Sequence, residues 1–124
     1  MVNNIKTTTI WTHNNTGGDD NDSASNVTST QETVYLLAEF EIFGVRHEAN
    51  QYEQNHQTQY QYYKNGNSRT KYNHASTSSA VRWWERSAYC NSSGTDSFCS
   101  VNYDGGANSN DASISYGFAP AFKV

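Results

Sequence analysis

Residues 81–87 read Val-Arg-Trp-Trp-Glu-Arg-Ser. Successive side chains of a strand point to opposite faces, so Trp83 and Trp84 cannot share one. One ring enters a core, and the other covers it or faces a partner. The totals say what kind of core that is. The chain has 124 residues, enough for one domain. Only 35% of residues are apolar, and the mean hydropathy is −0.87. Aromatic content is 14%, led by nine Tyr. The expected core is therefore small and largely aromatic, under a polar surface. The same aromatics argue against disorder, since disordered chains are poor in them.

On the C-terminal side, Phe98-Cys99-Ser100-Val101 reads as a short strand anchored by Phe98 and by either Cys99 or Val101. Asp104-Gly105 is a turn signal. Tyr116-Gly117-Phe118-Ala119-Pro120-Ala121-Phe122 reads as the last strand, an apolar knot in which Pro120 marks an edge or a strand end.

On the N-terminal side, residues 34–44, "VYLLAEFEIFG", are the strongest apolar run and read as a buried strand leading to a turn at Gly44. From Arg46 to Asn67 the chain is rich in Gln, Tyr and Asn. This reads as a surface segment pinned by Tyr60, Tyr62 and Tyr63, with a turn at Asn65-Gly66. His13 to Thr33 has scarcely an apolar residue and reads as a loop or linker. Residues 1–12 read as a short extended segment with Ile5, Ile10 and Trp11 as anchors. No helical period exceeds about ten residues. The expected class is α+β, rich in strands and loops.

Several functions are excluded or disfavoured. With net charge −4 and eight Lys and Arg there is no basic patch for nucleic acid. No apolar run approaches the roughly 18 residues of a membrane span, and residues 1–11 carry no signal-type apolar region. Asp19-Asp20-Asn21-Asp22 resembles a calcium loop but lacks its glycine and distal Glu, so a solvated acidic loop is expected. His13, His47, His56 and His74 show no ligand spacing, so neither metal nor cofactor is expected. Cys90 and Cys99 flank a probable hairpin. A disulfide and free thiols, with Cys99 buried, both stay open, the free thiols being favoured. No catalytic constellation stands out.

Five segments carry a resemblance by their order. They are "VYLLAEFEIFG", then "YQYYKNG" with "KYN", "WWERS", "FCSVNYDG" and "YGFAPAF", over residues 34–122. Together they resemble the C-type lectin-like variable proteins of diversity-generating retroelements, in the branch shared with sulfatase-modifying factor domains. The pattern departs at Ala38, Glu85 and Ala119, where those proteins usually carry Ser, Leu and Arg. The resemblance implies a C-type lectin-like fold, whole or its C-terminal portion, over residues 34–124, with residues 1–33 as a polar N-terminal segment. It implies a non-enzymatic target- or receptor-recognition protein on a phage tail, virion or bacterial surface. Partners would be a host-surface protein or glycan, and sister subunits in a trimer or other virion proteins. The competing reading is a structural decoration or assembly protein whose polar tail is merely solvated.

In that family a rigid framework displays exchangeable polar residues. Here the polar run from Ala88 to Tyr116 sits among fixed-looking Trp83, Trp84, Ser87, Phe98, Val101, Gly105, Gly117, Pro120 and Phe122. Tyr offers contact area at low entropy cost, while Ser, Gly and Asn adapt their hydrogen bonds. The contact residues implied are Tyr89, Asn91, Ser92, Ser93, Asp96, Asn102, Tyr103, Asp104, Asn108, Asn110, Asp111 and Tyr116. Tyr-rich residues 52–63 would assist them. The plainer alternative is that these types are there for turns.

Overall fold

The computed structural model describes residues 4–14, 22–90 and 96–124. β1 (Thr8–His13) and β2 (Val27–Glu32) pair antiparallel, with Ile10 opposite Thr30. The short β3 (Tyr35–Leu36) is followed by helix α1 (Glu39–Phe43). After a turn of 3-10 helix over Gln51–Asn55 comes the one-turn helix α2 (Gln61–Lys64). β4 (Lys71–Asn73) and β5 (Ser76–Val81) form a second hairpin. β6 (Trp83–Ala88), β7 (Ser97–Val101) and β8 (Ala107–Asp111) form an antiparallel meander, and β9 (Gly117–Phe118) adds parallel to β6. The sheet order is β8-β7-β6-β9. Finally β10 (Pro120–Ala121) pairs with β3, and Lys123 bridges to Lys6. The strand- and loop-rich α+β class is as expected from the sequence.

The central strand obeys the alternation that its tryptophans announce. Trp83, Glu85 and Ser87 are buried while Trp84 and Arg86, on the other face, keep some exposure. Trp83 faces Val101 across the β6–β7 ladder, and both join Tyr35, Leu37, Ile42 and Tyr63 in one cluster. Each Trp and Tyr must also place a polar handle. Trp83 Nε1 donates to the Arg69 carbonyl at 2.9 Å, and the Tyr35 and Tyr60 hydroxyls share a bond of 2.8 Å.

The run 34–44 departs from the strand expected. Only Tyr35 and Leu36 form a strand, and Glu39–Phe43 is helical. Glu41 reaches back to the Ala38 N–H at 2.9 Å, and Ser87 Oγ accepts the Glu39 N–H at 3.0 Å. Those bonds satisfy donors that open a helix. Gly44 closes it at φ +74°, and a Cβ there would meet Gln59 Oε1 at 2.7 Å. An apolar stretch this short reads equally as strand or helix from sequence.

The N-terminal segment differs too. Residues 27–32, expected in a loop, are the β2 strand, because main-chain pairing with β1 needs no apolar side chains. Tyr62, expected as a pin, is 54% exposed, whereas Tyr63 is buried one position on. Both Cys99 and Val101 lie inside, and Phe98 takes the outer face. The closing knot is not an anchor. Phe118 is 72% and Phe122 50% exposed, and only Ala119 and Ala121 touch the core. Splitting that last segment between two sheets turns its phenylalanines outward.

Candidate functional site

The apolar cluster is supplemented by buried polar groups. Glu39, Glu53, Asn50, Ser87 and Ser100 are fully buried, and Glu85 and His13 nearly so. Glu53 accepts the His13 N–H at 2.9 Å and the Ser87 hydroxyl at 2.7 Å. Glu39 accepts backbone N–H groups from His47, Glu48 and Ala49 at 2.7–3.1 Å. Arg86 donates both Nη atoms to Glu41 and further bonds to the Leu36 and Trp11 carbonyls and to Thr12 Oγ1. This one side chain ties β1, β3 and α1 to β6.

Glu85 stands apart from that network. Neither of its carboxyl oxygens has a hydrogen-bond partner. Burial pushes its pKa well above the ordinary 4.5, and the neighbouring Glu39, Glu53 and Glu48 add to the shift. Burial raises Glu53 as well, against the bonds from His13 and Ser87 that lower it. A carboxyl with a raised folded pKa binds more protons folded than unfolded. Its contribution to stability is therefore complete below the unfolded pKa and falls as pH rises toward the folded one. Glu85→Gln is expected to gain on the wild type as pH is raised above 4.5, read as a difference in melting temperature between the two proteins. A constant difference at every pH would contradict the assignment.

The two thiols are free and both buried. Cys90 Sγ points at Asp22 Oδ1, 3.7 Å away, and its pKa is pushed up to about 12, first by burial and then by that carboxylate. Cys99 donates to the Ala88 carbonyl at 3.5 Å, and burial raises it well above 9.0.

The surface feature of most chemical interest is a groove of about 760 Å³ between the β4–β5 hairpin and the start of β6. Arg82 is one of its lining residues. Its guanidinium stands 4.3 Å from the centroid of the Tyr103 ring and 5.8 Å from that of Tyr116, and Nε donates to Asn102 Oδ1 at 2.7 Å. Tyr116 in turn leans on Trp84, with centroids 4.6 Å apart, and its hydroxyl accepts from Asn110 Nδ2 at 2.8 Å. Lys71 lies across the groove, its Nζ 5.5 Å from the Trp83 ring. Tyr72, Tyr103 and Phe118 line the walls and are more than half exposed or nearly so. Among the described residues no Asp or Glu lines the groove, although the chain is net acidic. Its chemistry suits a ligand with an anionic group beside an apolar or aromatic face.

The sequence-named contact residues do not form one patch. Asn102, Tyr103 and Tyr116 converge on Arg82, and Asn110 joins them through the Tyr116 hydroxyl. Asp104 caps its own turn by accepting the Gly106 N–H, which leaves Gly105 free to adopt φ +84°. Asp111 accepts the Ser113 N–H, which lowers its pKa. Asn108 bonds the neighbouring Ser109 N–H within β8. Asp96 and Tyr89 lie at the opposite end of the meander, where the Ser97 carbonyl accepts the Tyr89 N–H. Asn91, Ser92 and Ser93 fall outside the described residues, as do Asp19, Asp20 and Asn21. Sequence reasoning missed Arg82, Lys71 and Tyr72. The one signal was a cation directly before the tryptophan pair.

Fold and groove together define a strand-rich α+β domain with an exposed cationic–aromatic face, and no helix among the described residues is long and apolar enough to cross a membrane. Over residues 1–124 the chain matches the family described as Domain of unknown function (DUF6273), and it belongs to that family. No curated protein and no solved structure matches it.

Proposed function

We propose that the chain is a non-enzymatic recognition domain of C-type lectin-like fold, a variable protein of the retroelement type, carried on a phage tail, a virion or a bacterial surface. Its target is a host-surface protein or glycan, and the contact centre is the groove around Arg82. One observation carries the reading. Tyr103 and Tyr116 flank an arginine at the surface, while Trp83, the very next residue, is locked in the core. A stiff strand thus presents aromatic and cationic groups with little ordering cost on binding, as binding surfaces rich in Tyr and Arg do. The ordered motifs from residue 34 to 122 support the fold, as does the pairing of β3 with β10. The thiols and acids whose pKa values are raised, Glu53, Glu85, Cys90 and Cys99, are buried and are not among the residues that line this groove, which favours binding over catalysis.

Tyr103→Ala and Arg82→Ala are each expected to weaken retention on cells of the source host by about 30-fold. Folding should change little, because Tyr103 is half exposed. Unchanged retention by both variants would remove the groove from the reading. Sequencing sibling genes tests the variable-protein part, since substitutions should gather between residues 88 and 116.

A second reading, a decoration or assembly subunit, is favoured by an apolar cleft that shares Phe118 with the groove. Trp84, Phe98 and Phe118 line it. In that case the cleft packs against a sister subunit, and a cryo-EM map of the assembled particle distinguishes the two.

A further inference from the structure

Glu85 poses a chemical problem that the protein atoms do not solve. It is fully buried, and neither carboxyl oxygen has a hydrogen-bond donor. Such groups in native proteins normally have a partner. Strand alternation aims Glu85 inward beside Trp83 and Ser87, and the adjacent strand aims Cys99 to the same side. Helix α1 brings Glu39 to them from its first position. One carboxylate oxygen of Glu39, one of Glu85 and Cys99 Sγ all lie within 4.8 Å of one another.

We propose that Glu39, Glu85 and Cys99 form a buried binding site for a thiophilic divalent cation of the zinc type. The donor set selects the ion. Calcium and magnesium take all-oxygen shells, whereas a thiolate with carboxylates suits zinc. The surroundings are already those of a ligand set. The N–H groups of His47, Glu48 and Ala49 fix the Glu39 carboxylate, as outer partners orient metal ligands. Glu48 Oε2 is also buried without a partner, and its own N–H is bonded to Glu39. Its carboxylate is the candidate for the fourth donor. Tetrahedral zinc needs donor separations shorter than 4.8 Å, so the three groups close in slightly as the ion binds. The ion takes Cys99 as a thiolate and Glu85 as a carboxylate, and any proton that either group carries is released to solvent on binding. No oxidant or reductant is involved. The positive charge of the ion also offsets the repulsion that Glu39, Glu53 and Glu48 exert on the Glu85 carboxylate.

The test uses the full chain, stripped of metal and titrated with Co²⁺ and separately with Zn²⁺. Three results are expected: a near-ultraviolet thiolate-to-cobalt band, one zinc retained per chain after dialysis, and a melting temperature raised by several degrees. Cys99→Ala should lose the band. Glu85→Leu is the control for folding, because an apolar group of similar size removes a buried charge. It should melt above the metal-free wild type, yet show no further rise with zinc. A folded wild type that shows no cobalt–thiolate band and retains no zinc overturns the proposal. So does retention of the full zinc effect in both variants, which would place the ion on surface histidines.

Discussion

Trp83→Ala is expected to destabilise the protein by about 3–5 kcal/mol, the range for emptying a large aromatic from a packed core. Trp83 is 1% exposed and touches the cluster of Tyr35, Leu37, Ile42, Tyr63 and Val101. Removing it also strands the Arg69 carbonyl, which the indole N–H now serves. In a domain of this size the loss lowers the melting temperature by on the order of 10–20 °C. Phe122→Ala is the contrast, since its ring is 50% exposed and its removal should shift the midpoint only slightly. Calorimetry or denaturant titration of both proteins reads the difference. Equal losses would mean that the closing segment, not the tryptophan, holds the core.

Arg86→Ala should be nearly as damaging, at about 3–5 kcal/mol, because it leaves Glu41 as a buried charge without its partner. The two side chains are 9% and 10% exposed, so solvent screens the pair little. The same substitution releases the Leu36 and Trp11 carbonyls and Thr12 Oγ1. The Arg86→Ala, Glu41→Gln double variant should recover part of the loss, since it no longer buries a lone carboxylate. The two single losses adding up in full in the double variant would show that the ion pair carries no coupling.

Much of the strand framework is legible residue by residue. Adjacent Trp83 and Trp84 had to part, because a pleat alternates. Glycines mark the turns at Gly44, Gly66 and Gly105, all of which take positive φ. Residues 34–44 were less legible. A run of five helical residues has no room to display a period, and the Glu41 back-bond and Gly44 stop were its only local marks. The β2 strand was illegible for another reason. Its residues are mostly Thr, Ser and Gln, and what makes it a strand is the β1 backbone beside it.

The candidate sites divide along the same line. Tyr103, Tyr116 and Asn102 could be named from residue type, yet their common partner Arg82 could not, since a cation beside aromatics in sequence need not lie between them in space. Nothing in the sequence marked Glu39, Glu85 and Cys99 as one group. Metal-ligand spacing is readable only when ligands share a loop or a helix face, and these three sit on α1, β6 and β7. The sequence alone therefore determined the kind of core, the parting of Trp83 from Trp84 and the tight turns, because these follow from local sterics and alternation. Only the tertiary structure decided which buried acids meet and which tyrosines frame a cation, because proximity across separate elements depends on how strands pair and not on how residues follow one another.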